Sequence, residues 1–157
     1  ADIQRERDLE SELVYKKYFN LGVAVDTEAG LIVPVLKDAD KKGVAELSKE
    51  LGDLAEKTRS RKIGAEELKG GTFTISNLGG IGGTFFTPII NRPEVAILAL
   101  GKGVVKPVVK DDKIVARTVL PIGVSYDHRV IDGADGARFI RSLVESIEGL
   151  TEKELGL

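Results

Sequence analysis

The chain has 157 residues, of which 42% are hydrophobic and 31% charged, so it can bury one core without metals or disulfides. It has no cysteine and one histidine, which excludes a disulfide framework, a thiol nucleophile and a zinc site. Its 23 basic and 25 acidic residues are mixed along the chain, so we expect neither nucleic acid nor a membrane surface as a partner. The composition therefore predicts one domain with no metal.

Residues 1–12 carry seven charges, which predicts a frayed terminus or a solvent-facing helix ahead of a domain at residues 13–157. No apolar run approaches the roughly 20 residues that span a bilayer, and the start lacks the layout of a signal peptide. We therefore expect a soluble, intracellular protein. The alanine at position 1 indicates a chain that is processed or cut from something longer.

A hairpin is predicted first, with strands at Leu21–Val25 and Leu31–Leu36 around a turn at residues 26–30. Apolar residues at three-and-four spacing then predict a helix from Lys42 to Arg59, with Asp40 near its start as a cap.

The run Thr72–Ser76 alternates polar and apolar residues, which predicts a strand with Phe73 and Ile75 on one face and with Ser76 pointing away from the face that packs. A strand-rich block follows, with a turn at residues 110–112, and its four strands are Val95–Leu100, Val104–Val109, Lys113–Val119 and Pro121–Tyr126. A last amphipathic helix begins after Gly133. This order predicts an α/β or α+β fold with helices packed on a mixed sheet.

Two segments attract a functional interpretation. The glycine-rich run at residues 77–83 matches neither a dinucleotide fingerprint nor a phosphate-binding loop, so it is either a functional loop or a tight connection. His128, the only histidine, follows an apolar strand and lies among charged residues. On spacing alone it is either structural or catalytic.

The segment Asp127-His128-Arg129-Val130-Ile131-Asp132-Gly133 resembles the His-Arg-x-x-Asp-Gly signature of the dihydrolipoamide acyltransferases, whose catalytic domains share the fold of chloramphenicol acetyltransferase. Other segments agree in the same order, namely residues 19–26, 30–35, 72–79 and 89–98. The resemblance extends from about Val14 to Ile147. It identifies the chain as a member of that family, truncated at its N-terminus.

The resemblance implies transfer of an acyl group, nearer to acetyl than to succinyl, between dihydrolipoamide and coenzyme A as substrates. It implies that His128 is the general base, that the Ser76 hydroxyl stabilises the oxyanion, and that Asp132 supports the active-site loop. The active site of this family lies between subunits of a homotrimer. The other dehydrogenase-complex components are the partners in full-length relatives, which are cytoplasmic in bacteria or lie in the mitochondrial matrix.

Two departures from the family keep alternatives open. The chain lacks the segment that precedes Val14 in relatives and helps to line the coenzyme A channel, and its charged C-terminus favours a free trimer over a cage. A non-catalytic trimeric core or an engineered scaffold is therefore an alternative. A chloramphenicol-type enzyme acting on a hydroxyl is another, and a pH profile with a single basic limb would favour either enzyme over the structural core.

Overall fold

The computed structural model describes residues 13–152 and the backbone of residues 5–7. The strands are β1 (Arg5–Arg7), β2 (Leu13–Tyr15), β3 (Leu21–Val23), β4 (Val25–Thr27), β5 (Gly30–Ile32), β6 (Val35–Leu36), β7 (Phe73–Asn77), β8 (Ala96–Leu100), β9 (Val104–Lys110), β10 (Lys113–Val119) and β11 (Ile122–Tyr126). The helices are α1 (Val44–Arg59) and α2 (Gly133–Glu148), and short 3-10 turns occupy Ala39–Lys41, Ala65–Leu68 and Gly79–Ile81.

Five strands form one mixed sheet in the order β11-β8-β7-β3-β6. The central strand β7 is parallel to both of its neighbours, whereas β6 and β11 are antiparallel and lie at the edges. Three two-stranded ribbons, β1-β2, β4-β5 and β9-β10, complete the described strands. The mixed sheet with packed helices that the sequence predicts is therefore confirmed.

One face of the sheet packs against α2. The buried cluster on this face consists of Phe73, Val95, Ala96, Leu98 and Ile131. Phe139 of α2 contacts it, with its ring centroid 5.7 Å from that of Phe73. Burying one aromatic side chain of this size contributes roughly 2 kcal/mol, so this contact is a principal attachment of α2 to the sheet.

Ser76 lies on the face of β7 opposite Phe73 and Ile75, as predicted, but that face is covered as well and is not open. Ser76 is 7% exposed and Thr74 is fully buried. A Cβ atom at Gly22 would lie 2.8 Å from Val33, which covers this face, and the Thr74 hydroxyl donates a 2.6 Å hydrogen bond to the buried Glu94 carboxylate. Polar alternation does not reveal this burial, because buried hydroxyl groups are stable where they find such partners.

The predicted hairpin is present, but it is broken into two parts. Val25–Thr27 pairs with Gly30–Ile32 in a ribbon, while Leu21 and Gly22 pair with Leu36 and Val35 inside the main sheet. Only positions 28 and 29 form the turn, because Gly30 at φ 106° already belongs to a strand. The predicted five-residue turn was therefore too long.

Helix α1 begins two residues later than predicted, and Asp40 does not cap it. Gly43 is the N-cap residue in extended conformation, and Asp40 lies in the preceding 3-10 turn. Because Lys42 is also extended, the Asp40 side chain is removed from the free N–H groups of the helix. The predicted end of α1 at Arg59 is confirmed.

The N-terminal prediction is wrong where it can be compared. Arg5–Arg7 forms a strand that pairs with Leu13–Tyr15, rather than a frayed end or a helix. The remaining positions of that prediction, 1–4 and 8–12, lie outside the described residues.

Helix α2 begins immediately after Asp132, which is its N-cap. The Asp132 carboxylate accepts a 2.8 Å hydrogen bond from the backbone N–H of Asp135. This bond, and a weaker one from the N–H of Ala134, lower the pKa of the Asp132 carboxyl from its ordinary value. An ionised carboxylate at this position accepts hydrogen bonds from otherwise free N–H groups, and its negative charge is attracted to the positive end of the helix dipole.

Replacing Asp132 by alanine should therefore lower the Tm by about 3 °C at neutral pH. Because the pKa is lower in the folded state, the stabilisation is present above the unfolded-state pKa and is lost as the pH falls through the folded-state pKa. Thermal unfolding measured at decreasing pH should show that the Tm difference between wild type and Asp132→Ala becomes smaller in acid. Asp132→Asn, which keeps the cap, is the control and should unfold near wild type at neutral pH. A difference that widens in acid would contradict this account.

Candidate functional site

His128 is exposed in a turn that joins β11 to α2. The backbone N–H of Asp127 donates to the carbonyl of Val95 at 2.8 Å, which extends the β11-β8 ladder by one residue. The Asp127 carbonyl then accepts from the N–H groups of Val130 and Ile131, each at 3.0 Å. His128 thus follows the first residue of a closed turn, just past the end of the edge strand β11.

The His128 ring lies beside the ring of Tyr126, with centroids 5.8 Å apart and planes inclined by 37°. Tyr126 in turn packs on the first turns of α2, where a Cβ atom at position 136 would lie only 2.7 Å from the tyrosine ring. Gly136 is therefore required for this close approach. The sheet, Tyr126 and α2 together fix the surface on which the imidazole rests.

Asp127 and Arg129 flank His128 and bind each other. The Asp127 carboxylate accepts from the Arg129 guanidinium in a bidentate manner, with Nε to Oδ1 at 2.8 Å and Nη2 to Oδ2 at 2.5 Å. The same carboxylate raises the pKa of Arg129, first by the hydrogen bond and then by its charge. Asp132 lies four positions after His128 at the start of α2, where it caps the helix.

Ser76 is the fourth residue of β7, and the strand register places it in one row with Ala99 of β8 and Gly123 of β11. A Cβ atom at Gly123 would lie 3.7 Å from the ring of Phe85, so the loop that carries Phe85 covers this row. Ser76 is consequently nearly buried within the chain, whereas His128 is exposed.

The glycine-rich loop that follows Ser76 is held by close backbone contacts. A Cβ atom at Gly79 would lie 2.9 Å from the carbonyl oxygen of Gly101, and one at Gly101 would lie 2.2 Å from that of Thr84. These glycines are explained by packing between the loop and the end of β8. The geometry favours the tight-connection interpretation of this loop.

The register also keeps Ser76 and His128 apart within one chain. Asp127 lies four residues beyond Gly123, about 13 Å along the strand, and Ser76 lies two strands away, about 10 Å across. The backbone next to His128 is therefore roughly 16 Å from Ser76. Two groups that act on one carbonyl must each lie within about 3 Å of the reacting atoms, so one chain alone does not bring them together.

In the part of the chain that the structure describes, no group of three or more histidine, aspartate or glutamate side chains could hold a metal ion. No helix among those residues is long and apolar enough to cross a membrane.

Sequence reasoning missed the surroundings of His128. The Asp127–Arg129 pair has a simple signal, since opposite charges two residues apart flank the only histidine. The close contact of Tyr126 with Gly136 has none, because it depends on how α2 crosses β11.

The chain was compared with known families and proteins. The model of the 2-oxoacid dehydrogenases acyltransferase (catalytic domain) family matches residues 2–155. The chain is 56% identical over 131 residues to the dihydrolipoyllysine-residue acetyltransferase component of the pyruvate dehydrogenase complex of Haemophilus influenzae, covering 83% of this chain and 23% of the relative. It is 57% identical over 127 residues to the same component of Cupriavidus necator, covering 81% and 23%.

Among solved structures, the Azotobacter vinelandii dihydrolipoamide acetyltransferase is similar with a TM-score of 0.86 and 48% identity, covering 89% of this chain and 58% of that one. That structure was determined to investigate a serine, a histidine and an asparagine in the catalytic mechanism of the Azotobacter protein. The truncated catalytic core of the 2-oxoacid dehydrogenase complex from Thermoplasma acidophilum has a TM-score of 0.82 and 41% identity, covering 94% and 65%.

The chain spans only 23% of the length of each of the two curated relatives named above. On the side of this chain the match is nearly complete, because the family model covers residues 2–155 of 157. The chain belongs to the 2-oxoacid dehydrogenase acyltransferase family and corresponds to its catalytic domain.

Proposed function

We propose that this chain is the catalytic unit of an acetyltransferase that moves an acetyl group between dihydrolipoamide and coenzyme A. His128 acts as the general base, and Ser76 donates a hydrogen bond to the oxyanion. Asp132 supports the turn that carries His128. The named relatives, which are acetyltransferase components of pyruvate dehydrogenase complexes, favour acetyl as the acyl group. The bacterial source of these relatives favours a cytoplasmic location.

The observation that carries this proposal is a spacing. Ser76 and His128 are 52 positions apart, and His128 and Asp132 are 4 apart. The serine, histidine and asparagine named for the Azotobacter protein have the same two spacings. At 48% identity and a TM-score of 0.86, this agreement supports the same roles for these three positions, with aspartate in place of asparagine.

The chemistry requires a base and a donor of this kind. A thiol with an ordinary pKa near 8.5 is mostly protonated at neutral pH, and a neutral imidazole can accept its proton as the sulfur attacks the thioester carbonyl. His128 takes the proton from the thiol of coenzyme A. When the intermediate collapses, the C–S bond to dihydrolipoamide breaks and the imidazolium returns the proton to the departing sulfur.

The attack turns the carbonyl oxygen into an oxyanion, and this charge must be stabilised as it forms. The hydroxyl of Ser76 can donate one hydrogen bond to it, and a fixed donor at this position contributes about 3 kcal/mol. The near burial of Ser76 supports this role, because a donor held away from bulk water loses little energy to reorganisation.

A second copy of the chain is needed to complete the site. Within one chain, Ser76 and the turn carrying His128 lie at opposite ends of the sheet, roughly 16 Å apart. We therefore propose a homotrimer in which His128 of one protomer faces Ser76 of its partner. In longer relatives the other dehydrogenase components would be the further partners.

The ribbon β9-β10 supports this assembly. Val105, Val109 and Ile114 lie on one of its faces and are 72%, 74% and 78% exposed. An isolated two-stranded ribbon is only marginally stable in water, and soluble monomers rarely leave so continuous an apolar face uncovered. We propose that a neighbouring protomer covers this face.

Two alternatives differ in what they predict. A non-catalytic trimeric core or engineered scaffold would keep the assembly without turnover, and a chloramphenicol-type enzyme would use the same base on a hydroxyl acceptor. The family match favours the thiol acceptor, since its name and those of the curated relatives concern 2-oxoacid dehydrogenases.

The test of the function is acetyl transfer from acetyl-coenzyme A to dihydrolipoamide, with particle mass measured by light scattering. His128→Ala should lower kcat about 1,000-fold and Ser76→Ala about 100-fold, because each removes one element of the transition-state machinery. Both variants should keep the wild-type mass. A wild-type trimer without turnover would contradict the enzyme and leave the structural core.

The same two variants test whether a site is shared between chains. When they are co-expressed with different tags, the Ser76→Ala chain still supplies His128 and the His128→Ala chain still supplies Ser76. Random mixing should restore about one quarter of the sites, whereas sites within one chain would not be restored at all. A chain carrying both substitutions, mixed with either single variant, is the control and should recover nothing.

Ile114→Lys should weaken the trimer, because burying a charged side chain under the neighbouring protomer is costly. We expect the light-scattering mass to fall towards that of one chain at low protein concentration, with activity falling in parallel. Leu31→Lys, at a residue that is 64% exposed on the β4-β5 ribbon, is the matched control. An unchanged mass for Ile114→Lys would show that this face is not covered by a partner.

A further inference from the structure

The carboxylate of Asp127 is the centre of the turn that presents His128. Its Oδ1 accepts a hydrogen bond from the backbone N–H of Arg129 at 3.0 Å. This bond links the residue before His128 to the residue after it. The Arg129 side chain returns to the same carboxylate through the bidentate contact. One side chain therefore fixes the residue after His128 by its backbone and by its guanidinium together.

The backbone of Asp127 is fixed as well. Its N–H is bonded to Val95 in β8, and its carbonyl accepts from Val130 and Ile131. Both peptide units beside His128 are consequently anchored, one to the sheet and one to the Asp127 carboxylate. With the backbone held on both sides, the direction of the His128 side chain is limited to a few rotamers.

The pair contributes little to the stability of the fold. The Arg129 side chain is 71% exposed, so water screens the pair on that side although the Asp127 side chain is only 17% exposed, and the two residues are already close in sequence. Exposed ion pairs contribute little because water screens them, and this one closes no long loop. Its geometric effect is concentrated on the single residue between the two partners, which is His128.

We propose that Asp127 and Arg129 are positioning residues that hold His128 in the orientation its catalytic role requires, an inference that rests on the proposed function. Neither residue contacts the reacting atoms in this account. The bidentate contact matters because it fixes direction as well as distance, which a single ammonium group does not do.

The pair also balances charge beside the imidazole. Charged or titratable groups beside His128 include Asp127 and Arg129 in the turn, Tyr126 against its ring, and Asp132 at the α2 N-terminus, where Arg138 is paired with Asp135. Removing the Asp127 charge leaves Arg129 uncompensated, which disfavours an imidazolium. Removing the Arg129 charge leaves Asp127 uncompensated, which favours it.

Kinetics of four variants test the proposal on the full chain. Asp127→Asn and Arg129→Gln should each lower kcat about tenfold with little change in KM, because a small misplacement of a catalytic group is costly. The midpoint of the pH profile of kcat should move to lower pH in Asp127→Asn and to higher pH in Arg129→Gln, by a few tenths of a unit at low salt. Arg129→Lys should restore the midpoint without restoring kcat.

The matched control is Arg141→Gln, which removes another exposed arginine–carboxylate pair, that with Glu145 on α2, at 2.9 Å. Its kinetics should equal those of wild type. Wild-type kcat in both Asp127→Asn and Arg129→Gln, or midpoints that move in the same direction, would overturn the proposal.

Because His128 is the only histidine, the two C–H groups of its ring give one set of imidazole NMR signals, which report on positioning without any turnover. Wild type and Arg141→Gln should show one sharp set of ring C–H resonances, whereas Asp127→Asn and Arg129→Gln should show a broadened or doubled set. Identical resonances in all four proteins would overturn the proposal that Asp127 and Arg129 position His128. If these spectral differences are seen but the wild type is inactive, the proposed enzyme is refuted while the positioning of His128 by this pair still holds.

Discussion

The hydrogen-bond register of the main sheet is the constraint on which the rest of the structure depends. Because β7 and β8 are parallel and β11 is antiparallel to β8, the end of β7 and the end of β11 point in opposite directions. Ser76 and His128 are carried to these two ends. A shift of one residue in β7 against its neighbours would exchange the faces of that strand and turn Ser76 towards α2.

This separation explains why the two ends of the sheet are built so differently. At the Ser76 end, glycines and a covering loop bring backbone close to backbone and leave the hydroxyl almost buried. At the His128 end, an exposed turn is held by Asp127, Tyr126 and the capped start of α2. In the proposed function these two ends are complementary, because the nearly buried Ser76 of one copy would meet the exposed His128 of another.

Much of the fold could be predicted from the sequence, because its signals are local. The turn before Lys113 is present, with Asp111 and Asp112 at positive φ, and the final helix begins where predicted. The burial of Ser76 could not be predicted, since a strand whose second face holds buried hydroxyl groups, such as Thr74 bonded to Glu94, looks half-polar in sequence. The capping of α2 by Asp132 depends on a local feature, since this residue directly precedes the helix. The close contact of Tyr126 with Gly136 depends on tertiary packing and has no local signal. The candidate site residues follow from the family resemblance rather than from spacing alone, and their catalytic roles stay predictions.

Cross-linking tests most directly whether the site forms between chains. The protein has no cysteine, so a Ser76→Cys, His128→Cys double variant carries two thiols at known positions. A short bifunctional maleimide cannot span the roughly 16 Å between these positions in one chain. On a denaturing gel the account predicts a ladder of linked chains that stops at three, with neither single variant forming it. Unlinked chains that each contain one internal cross-link would contradict it.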